Sequence, residues 1–429
     1  MEFYDIPSSG GPWSKMVPMK KPRHDIVVFG ATSFVGRILA RYLLDEFGAK
    51  GPLRWAIAGR SGTRLEALRK SLGAKAATLP LLVADAADEV ALGRLCDETT
   101  AVISTVGPYA LYGEPLVKVC AESGTDYLDL AGEVQWIRRM LHTYERTARK
   151  SGARIVHCCG FDSVPSDLGV HFLQRQAMLR FGQPCTQVKM RVKAMRGAFS
   201  GGTYARTLNF MKEVSADPAL RKELANPYSL CPEGYASRVR QPGVKFAAFD
   251  ADFDAWIAPF VMSAVNTRIV QRTNALSGQA YGAQFRYDEA MLAGRGVKGR
   301  ITATAISAGL AGFMIAGAIG PVRAALGRFV LPSPGEGPDV KAQEAGFYDL
   351  RFFGRTEDGR SLRAKVTGDR DPGYGSTSKI LGQAAACLVQ DVSKEEKPGG
   401  FWTPATVLGD RFVTRLEAHA GVKFAIIVD

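Results

Sequence analysis

The stretch Asp25-Ile-Val-Val-Phe-Gly-Ala-Thr-Ser-Phe-Val-Gly36 constrains this chain more than any other. Apolar residues from Ile26 to Phe29 end at Gly30. Gly36 follows, and from about Val35 to Phe47 the residues Ile38, Leu39, Tyr42, Leu43 and Phe47 recur at helical spacing. The pattern reads as strand, tight turn, helix. The amides of the turn, through Thr32, Ser33, Phe34 and Val35, join the positive end of the helix dipole to form a phosphate site. Gly30 lets the backbone turn and a pyrophosphate approach, and Gly36 lets the helix pack close to the strand. A full dinucleotide fingerprint has a further glycine where this chain has Ser33. A plain β-to-α turn carries two glycines just as well, so the following segments decide.

They continue the alternation. Strand-like runs are Leu53 to Arg60, Leu79 to Ala84, Ala101 to Val106, Tyr127 to Leu130 and Arg154 to Cys158, with helical patterns between them. Polar residues, glycine and proline gather after the strands, as in an open, doubly wound parallel sheet that binds its ligand at the carboxyl edge. The second strand ends in Gly59-Arg60. An acidic residue there would take both ribose hydroxyls of NAD; Arg60, with Arg64 and Lys70 nearby, suits the 2′-phosphate of NADP. Asp85 either meets the adenine edge or caps the helix starting near Ala87. The fourth strand closes with Thr105, Gly107, Pro108 and Tyr109, beside the expected position of the nicotinamide.

Composition narrows the partners. The chain has 429 residues and a net charge of +13, which favours phosphate cofactors, acidic carriers or anionic lipid. Nucleic acid is a poor fit, because aromatic and basic residues are not interleaved as a stacking platform. Seven scattered cysteines without metal spacing indicate reduced thiols in the cytoplasm and no bound metal. Residues 1–24, rich in proline, serine and glycine, lack a signal-peptide core and read as a flexible tail.

Beyond residue 165 the character changes. Gln187 to Ala194 alternates, with Val188, Met190 and Val192 facing inward and Lys189, Arg191 and Lys193 forming a basic outer face. A glycine-rich loop leads to a helix expected over 203–214, and Asp217-Pro218 signals another helix start. Residues 226–260 read as an irregular loop region over the site. Phe347 to Phe353 and Leu362 to Thr367 form a hairpin around Asp358-Gly359, so a second sheet, antiparallel or mixed, is expected. Thr377 or Ser378 caps a helix to about Val389, Thr403-Pro404 opens another, and Lys423 to Val428 is the last strand. The domains are then 25–165 (Rossmann-like, NADP-binding), 166–370 (a second α+β domain) and 371–429 (segments returning to the first).

Residues 301–322 carry no charge between Arg300 and Arg323 and are long enough to cross a bilayer. A buried or subunit-contact helix, a membrane-surface segment and a true span all fit them. The last two would use Arg300, Arg323 and Arg328 against anionic headgroups.

The motifs at 27–36, 103–109 (Ile-Ser-Thr-Val-Gly-Pro-Tyr), 127–133 (Tyr-Leu-Asp-Leu-Ala-Gly-Glu), 159–167 (Cys-Gly-Phe-Asp-Ser-Val-Pro-Ser-Asp) and 368–374 (Gly-Asp-Arg-Asp-Pro-Gly-Tyr) together resemble the saccharopine dehydrogenase-like oxidoreductases, and within them the trans-acting enoyl reductase group. The resemblance covers nearly all of the chain after residue 24. It implies an α/β fold and an NADPH-dependent reductase of an enoyl group on a lipid or polyketide chain, presented as a thioester, with an acyl-carrier partner and a homodimer compatible with it. In such a site a donor stabilises the developing enolate and an acid protonates the α-carbon. Tyr109 is the candidate donor. Asp162 and Ser163 are candidates for orienting substrate, and Asp129 with Glu133 for binding or proton relay. The alternatives are an imine or amino-acid dehydrogenase of saccharopine type, and a non-catalytic NADP(H)-binding protein on a membrane or lipid droplet.

Overall fold

The computed structural model describes residues 22–197, 225–318 and 337–428, with 220 and 222 between them. The chain first lays down β1 (His24–Phe29), β2 (Trp55–Gly59), β3 (Leu81–Val83), β4 (Thr99–Ser104), β5 (Asp126–Asp129) and β6 (Arg154–Val156). Then come β7 (Cys185–Arg196), β8 (Ala248–Asp250), β9 (Ala255–Pro259), β10 (Arg286–Gly294), β11 (Phe347–Thr356) and β12 (Ser361–Gly368). The last strands are β13 (Gly400–Trp402) and β14 (Val422–Ile427).

These strands make two sheets. The first has the order β13-β6-β5-β4-β1-β2-β3, and every neighbouring pair in it is parallel. Helices cover both faces, so β2, β5 and β6 are buried throughout. The chain runs outward from β1 to β3 and returns to the other side of β1 as β4. A crevice therefore opens at the carboxyl ends of β1 and β4, where such sheets bind ligands. The second sheet, β14-β12-β11-β7-β10-β9-β8, is mixed: β7 and β10 are parallel and the other neighbours antiparallel. Gly359, at φ +89°, makes the expected turn between β11 and β12.

The C-terminal segments divide between the sheets. The helix Thr377–Gln390 packs on the helix Phe34–Phe47, where Gln383 Nε2 donates to the Tyr42 hydroxyl at 2.7 Å. β13 lies beside β6. Buried Arg154 fastens this junction: it pairs with Asp126 at 2.5 Å and donates to the carbonyls of Leu388 (3.0 Å) and Val392 (2.7 Å). β14 closes the second sheet against β12.

Several expectations need correction. β13 is a three-residue strand in a glycine-flanked stretch, too short to show a period, and the sequence reads as loop there. Residues 226–260 are not all loop, because β8 and β9 form the far edge of the second sheet. β10 was missed because its polar Asp288 and Glu289 are adjacent rather than alternating. The face of β7 that bears Lys189 and Arg191 is not an open basic face. Arg191 is buried between Asp250 and Asp288, at 2.8 Å from each, and Lys189 pairs with Asp250 and Asp252. The cap expected at Thr377 or Ser378 belongs instead to Asp371. Its carboxylate accepts from Tyr374 N (2.8 Å) at the start of the turn Pro372–Ser376, which runs into the helix. The expected helix 203–214, the Asp217-Pro218 start, the tail up to residue 21, residues 319–322 of the apolar run, and Arg323 and Arg328 lie outside the described residues.

The apolar run forms the helix Gly296–Ala318. It is not a core helix of this chain: of its described side-chain positions only Gly299, Ala303 and Ser307 are buried.

Candidate functional site

The turn after β1 is built by one directional chain of hydrogen bonds. Gly36 N donates to Ser33 Oγ (3.0 Å), Ser33 Oγ donates to Thr105 Oγ1 (3.1 Å), and Thr105 Oγ1 donates to the Gly30 carbonyl (2.9 Å). Ser33 has φ −66° and ψ 166°, so no glycine is required at this position. It is the N-cap of the helix Phe34–Phe47. Gly30 does need its freedom, because its φ is +82° and a Cβ there would lie 2.6 Å from Val106 Cγ2. A Cβ on Gly36 would lie 2.4 Å from the Gly30 carbonyl oxygen, so helix and turn meet backbone to backbone. The amides of Phe34 and Val35 have no acceptor within the helix. This is a cradle for a pyrophosphate.

At the end of β2, exposed Arg60 has no ion-pair partner among the described residues, and neither has Arg64. Both stand beside the first helix turn after β2, opened by Ser61, whose hydroxyl accepts from Arg64 N. Unneutralised cations here fit a 2′-phosphate. Asp85 does not cap a helix. It accepts from Ala87 N (2.9 Å) in a local turn, and Asp88 caps Glu89–Asp97 through Val90 N and Ala91 N. Over the mouth of the cradle, the Phe34 ring meets Tyr374 edge-on at 5.0 Å, and Gly337 closes against the same ring. Residues 337 and 374, far along the chain, thus lie against the ring that follows the phosphate turn.

The strand ends beyond β4, β5 and β6 carry the candidate chemistry, and the structure sorts it. Gly107 and Pro108 join through a cis peptide and set Tyr109 into the core, 2% exposed. The Tyr109 hydroxyl donates to the Ser104 carbonyl (2.9 Å) and accepts from Leu130 N (3.2 Å), tying β4 to β5. Its proton is committed to backbone, so the donor role expected for Tyr109 does not fit. Glu133 accepts from Tyr109 N and Gly132 N, both at 3.1 Å, and serves the same loop. Asp129 is fully buried. It accepts from Ala131 N and Cys158 N and sits 2.6 Å from His157 Nδ1. Sequence reading passed over His157, which is enclosed by the rings of Trp136 (5.1 Å) and Phe401 (5.6 Å). A relay through Asp129 and Glu133 to substrate does not fit these backbone attachments.

Asp162 and Ser163 lie at the turn between β6 and the helix Val164–Phe181, Asp162 half-buried and Ser163 buried. The Ser163 hydroxyl donates to Asn266 Oδ1 (3.0 Å). Asn266 Nδ2 in turn donates to Glu289 (3.0 Å) and to Ser166 Oγ (3.2 Å), and the Tyr287 hydroxyl donates to Glu289 (2.7 Å). Burial pushes the Glu289 carboxyl up to about 7, against the pull of these hydrogen bonds. Asn266 and Glu289 were not legible as site residues; the one signal is an acidic pair in an otherwise apolar stretch. Asp167, in the first turn of Val164–Phe181, reaches across to another helix: it accepts from Ala405 N and Thr273 Oγ1. Burial raises it to about 7 as well. All seven cysteines are free, and Cys158 and Cys159 are buried.

A parallel sheet with a phosphate cradle at its switch point, a cation at the ribose position and a polar strand edge defines an NADP-dependent α/β oxidoreductase. Comparison with known proteins agrees. Residues 26–156 match the family model described as the saccharopine dehydrogenase NADP binding domain. A Mycobacterium tuberculosis protein named as a putative trans-acting enoyl reductase is 40% identical over 410 residues, covering 93% of this chain and 96% of its own. The trans-acting enoyl reductase of Mycobacterium bovis is 38% identical over 415 residues, again covering 93% and 96%. Among solved structures, apo saccharopine dehydrogenase (L-Glu forming) from Saccharomyces cerevisiae shares the fold, with a TM-score of 0.51 at 14% identity over 94% of this chain and 100% of that one. The chain belongs to the saccharopine dehydrogenase-like oxidoreductases, alongside the trans-acting enoyl reductases.

Proposed function

We propose that the protein reduces the carbon–carbon double bond of an enoyl thioester carried on a lipid or polyketide chain. The end-to-end likeness to proteins named as trans-acting enoyl reductases carries this reading. NADPH bound in the cradle supplies the hydride, which goes to the β-carbon. The chain's own contribution centres on the turn after β6. The N-terminus of Val164–Phe181 turns a positive dipole end toward the developing enolate oxygen. Half-buried Asp162 is the acid for the α-carbon, and Ser163, whose hydroxyl donates to Asn266, fixes the turn that presents it.

The arrangement of cations speaks against the amino-acid dehydrogenase reading. Such a site must hold substrate carboxylates with free basic groups. Lys189 and Arg191 are neutralised by Asp250, Asp252 and Asp288, and Lys193 has Asp349 at 3.6 Å. The test is NADPH oxidation followed with medium-chain 2-enoyl thioesters and, in parallel, with 2-oxo acids plus amines. Turnover confined to the enoyl thioesters supports the proposal; turnover confined to the oxo acids replaces it.

A further inference from the structure

The helix Gly296–Ala318 is the largest unpartnered apolar element in the described residues. Its 23 residues span about 34 Å. A window of mean hydropathy 1.3 within it is only 11% buried. It touches the protein through a stripe of small residues at Gly299, Ala303 and Ser307, which lies on the edge of the second sheet near β9. Beyond Ser307 no described side chain of the helix is buried, and Met314 and Ile315 are 45% and 63% exposed. An apolar helix anchored at its base and bare towards its tip needs a covering.

Charge identifies what covers it. Between Glu289 and Glu336 the sequence contains no acidic residue and five cations: Arg295, Lys298, Arg300, Arg323 and Arg328. Three of these precede the apolar part of the helix. Arg295 is paired with Asp254, but Lys298 and Arg300 have no acidic partner among the described residues, and Arg300 lies over the Trp256 ring at 5.5 Å. A cationic base with an aromatic beside it, followed by an apolar tip, matches the layering of headgroups and acyl tails. Beside the tip, Leu310 and Met314 wall a groove of about 870 Å³ whose other side carries Arg238, Arg240 and Lys245. A second copy of this helix would bring the same cations and no acid of its own to the contact.

We propose that this helix inserts its 308–316 tip into the surface of an anionic bilayer, with Lys298 and Arg300 at the headgroups, so that the protein is a peripheral membrane protein. The inference does not depend on the reductase reading. The full chain is floated with phosphatidylcholine vesicles, with and without phosphatidylglycerol, and NADPH binding is followed by fluorescence as a check on the fold. The expected result is flotation with the anionic vesicles only, weakened by salt. Met314→Glu with Ile315→Glu should abolish flotation, and Lys298→Glu with Arg300→Glu should abolish it on the anionic vesicles as well, both with NADPH binding intact. Two results would overturn the proposal. One is flotation that is absent or indifferent to both double variants. The other is a dimer in sedimentation that the Met314/Ile315 variant dissociates while flotation is unchanged, which would make the helix a subunit contact.

Discussion

Ser33 Oγ donates to Thr105 Oγ1 at 3.1 Å, joining two residues 72 positions apart across the top of β1 and β4. The same hydroxyl accepts the Gly36 amide, so one serine both caps the helix and holds the phosphate turn against the neighbouring strand. Ser33→Ala removes both bonds and should destabilise the protein by about 1 kcal/mol, whereas Ser33→Gly should cost only a few tenths. Denaturant titration of the two variants checks this. Ser33→Gly should still bind NADPH, because the backbone there is extended and glycine adopts it freely.

We propose that Arg60 sets the cofactor preference. It is exposed at the end of β2 with no ion-pair partner among the described residues, so its charge is available to a 2′-phosphate. Arg60→Ala should weaken NADPH binding about 10- to 100-fold, the loss of a charged hydrogen bond. NADH binding should be nearly unchanged. Fluorescence titration with both nucleotides reads the ratio directly, and an equal loss for the two would refute the assignment.

Tyr109 and Asp162 should separate in kinetics. Tyr109→Phe strands the Ser104 carbonyl and Leu130 amide in the core, at about 1–3 kcal/mol of stability. The folded variant should keep kcat within about twofold, because no transition-state contact is lost. Asp162→Asn should lower kcat about 100-fold, in the range expected for a general acid. The opposite pattern would return the tyrosine to the chemistry.

Glu289 makes stability depend on pH. Its folded pKa, about 7, lies above the ordinary value of 4.5, so the native state holds the proton more tightly than the unfolded chain. The contribution is complete below about pH 4.5 and is lost as pH rises through 7, amounting to about 3 kcal/mol. Glu289→Gln should therefore flatten the fall in stability between pH 5 and pH 8, seen as a smaller shift in the denaturation midpoint. The amide keeps an acceptor for the Tyr287 hydroxyl. An unchanged pH slope would mean that the carboxyl is charged in the folded protein.

Strands β1 to β6 of the first sheet were legible because each is an apolar run ended by glycine or polar residues, with a helical period after it. Gly30, Ser33, Gly36 and Arg60 could be placed by counting from the strand ends. The edge strand β13 and the second sheet were less so. β8 and β13 are three residues long, and the ion pairs of Arg191 with Asp250 and Asp288 join segments roughly 60 and 100 residues away. No local pattern announces such partners, so a buried arginine reads as a solvated one. The same reason hid Asn266, which bonds Ser163 and Ser166 100 residues or more earlier in the chain, and Glu289, which bonds Asn266. Tyr109 shows the converse error. It follows the fourth strand as expected, but its hydroxyl points into the sheet, to the Ser104 carbonyl and the Leu130 amide.

The most direct test of the reductase reading uses NADPH deuterated at the transferable C4 position, with a 2-enoyl thioester as substrate and mass spectrometry of the product. The account predicts a saturated thioester with one deuterium on the β-carbon, formed one for one with NADPH consumed. A thioester recovered unsaturated, with deuterium instead on the α-carbon of an amine formed from a 2-oxo acid, would contradict it.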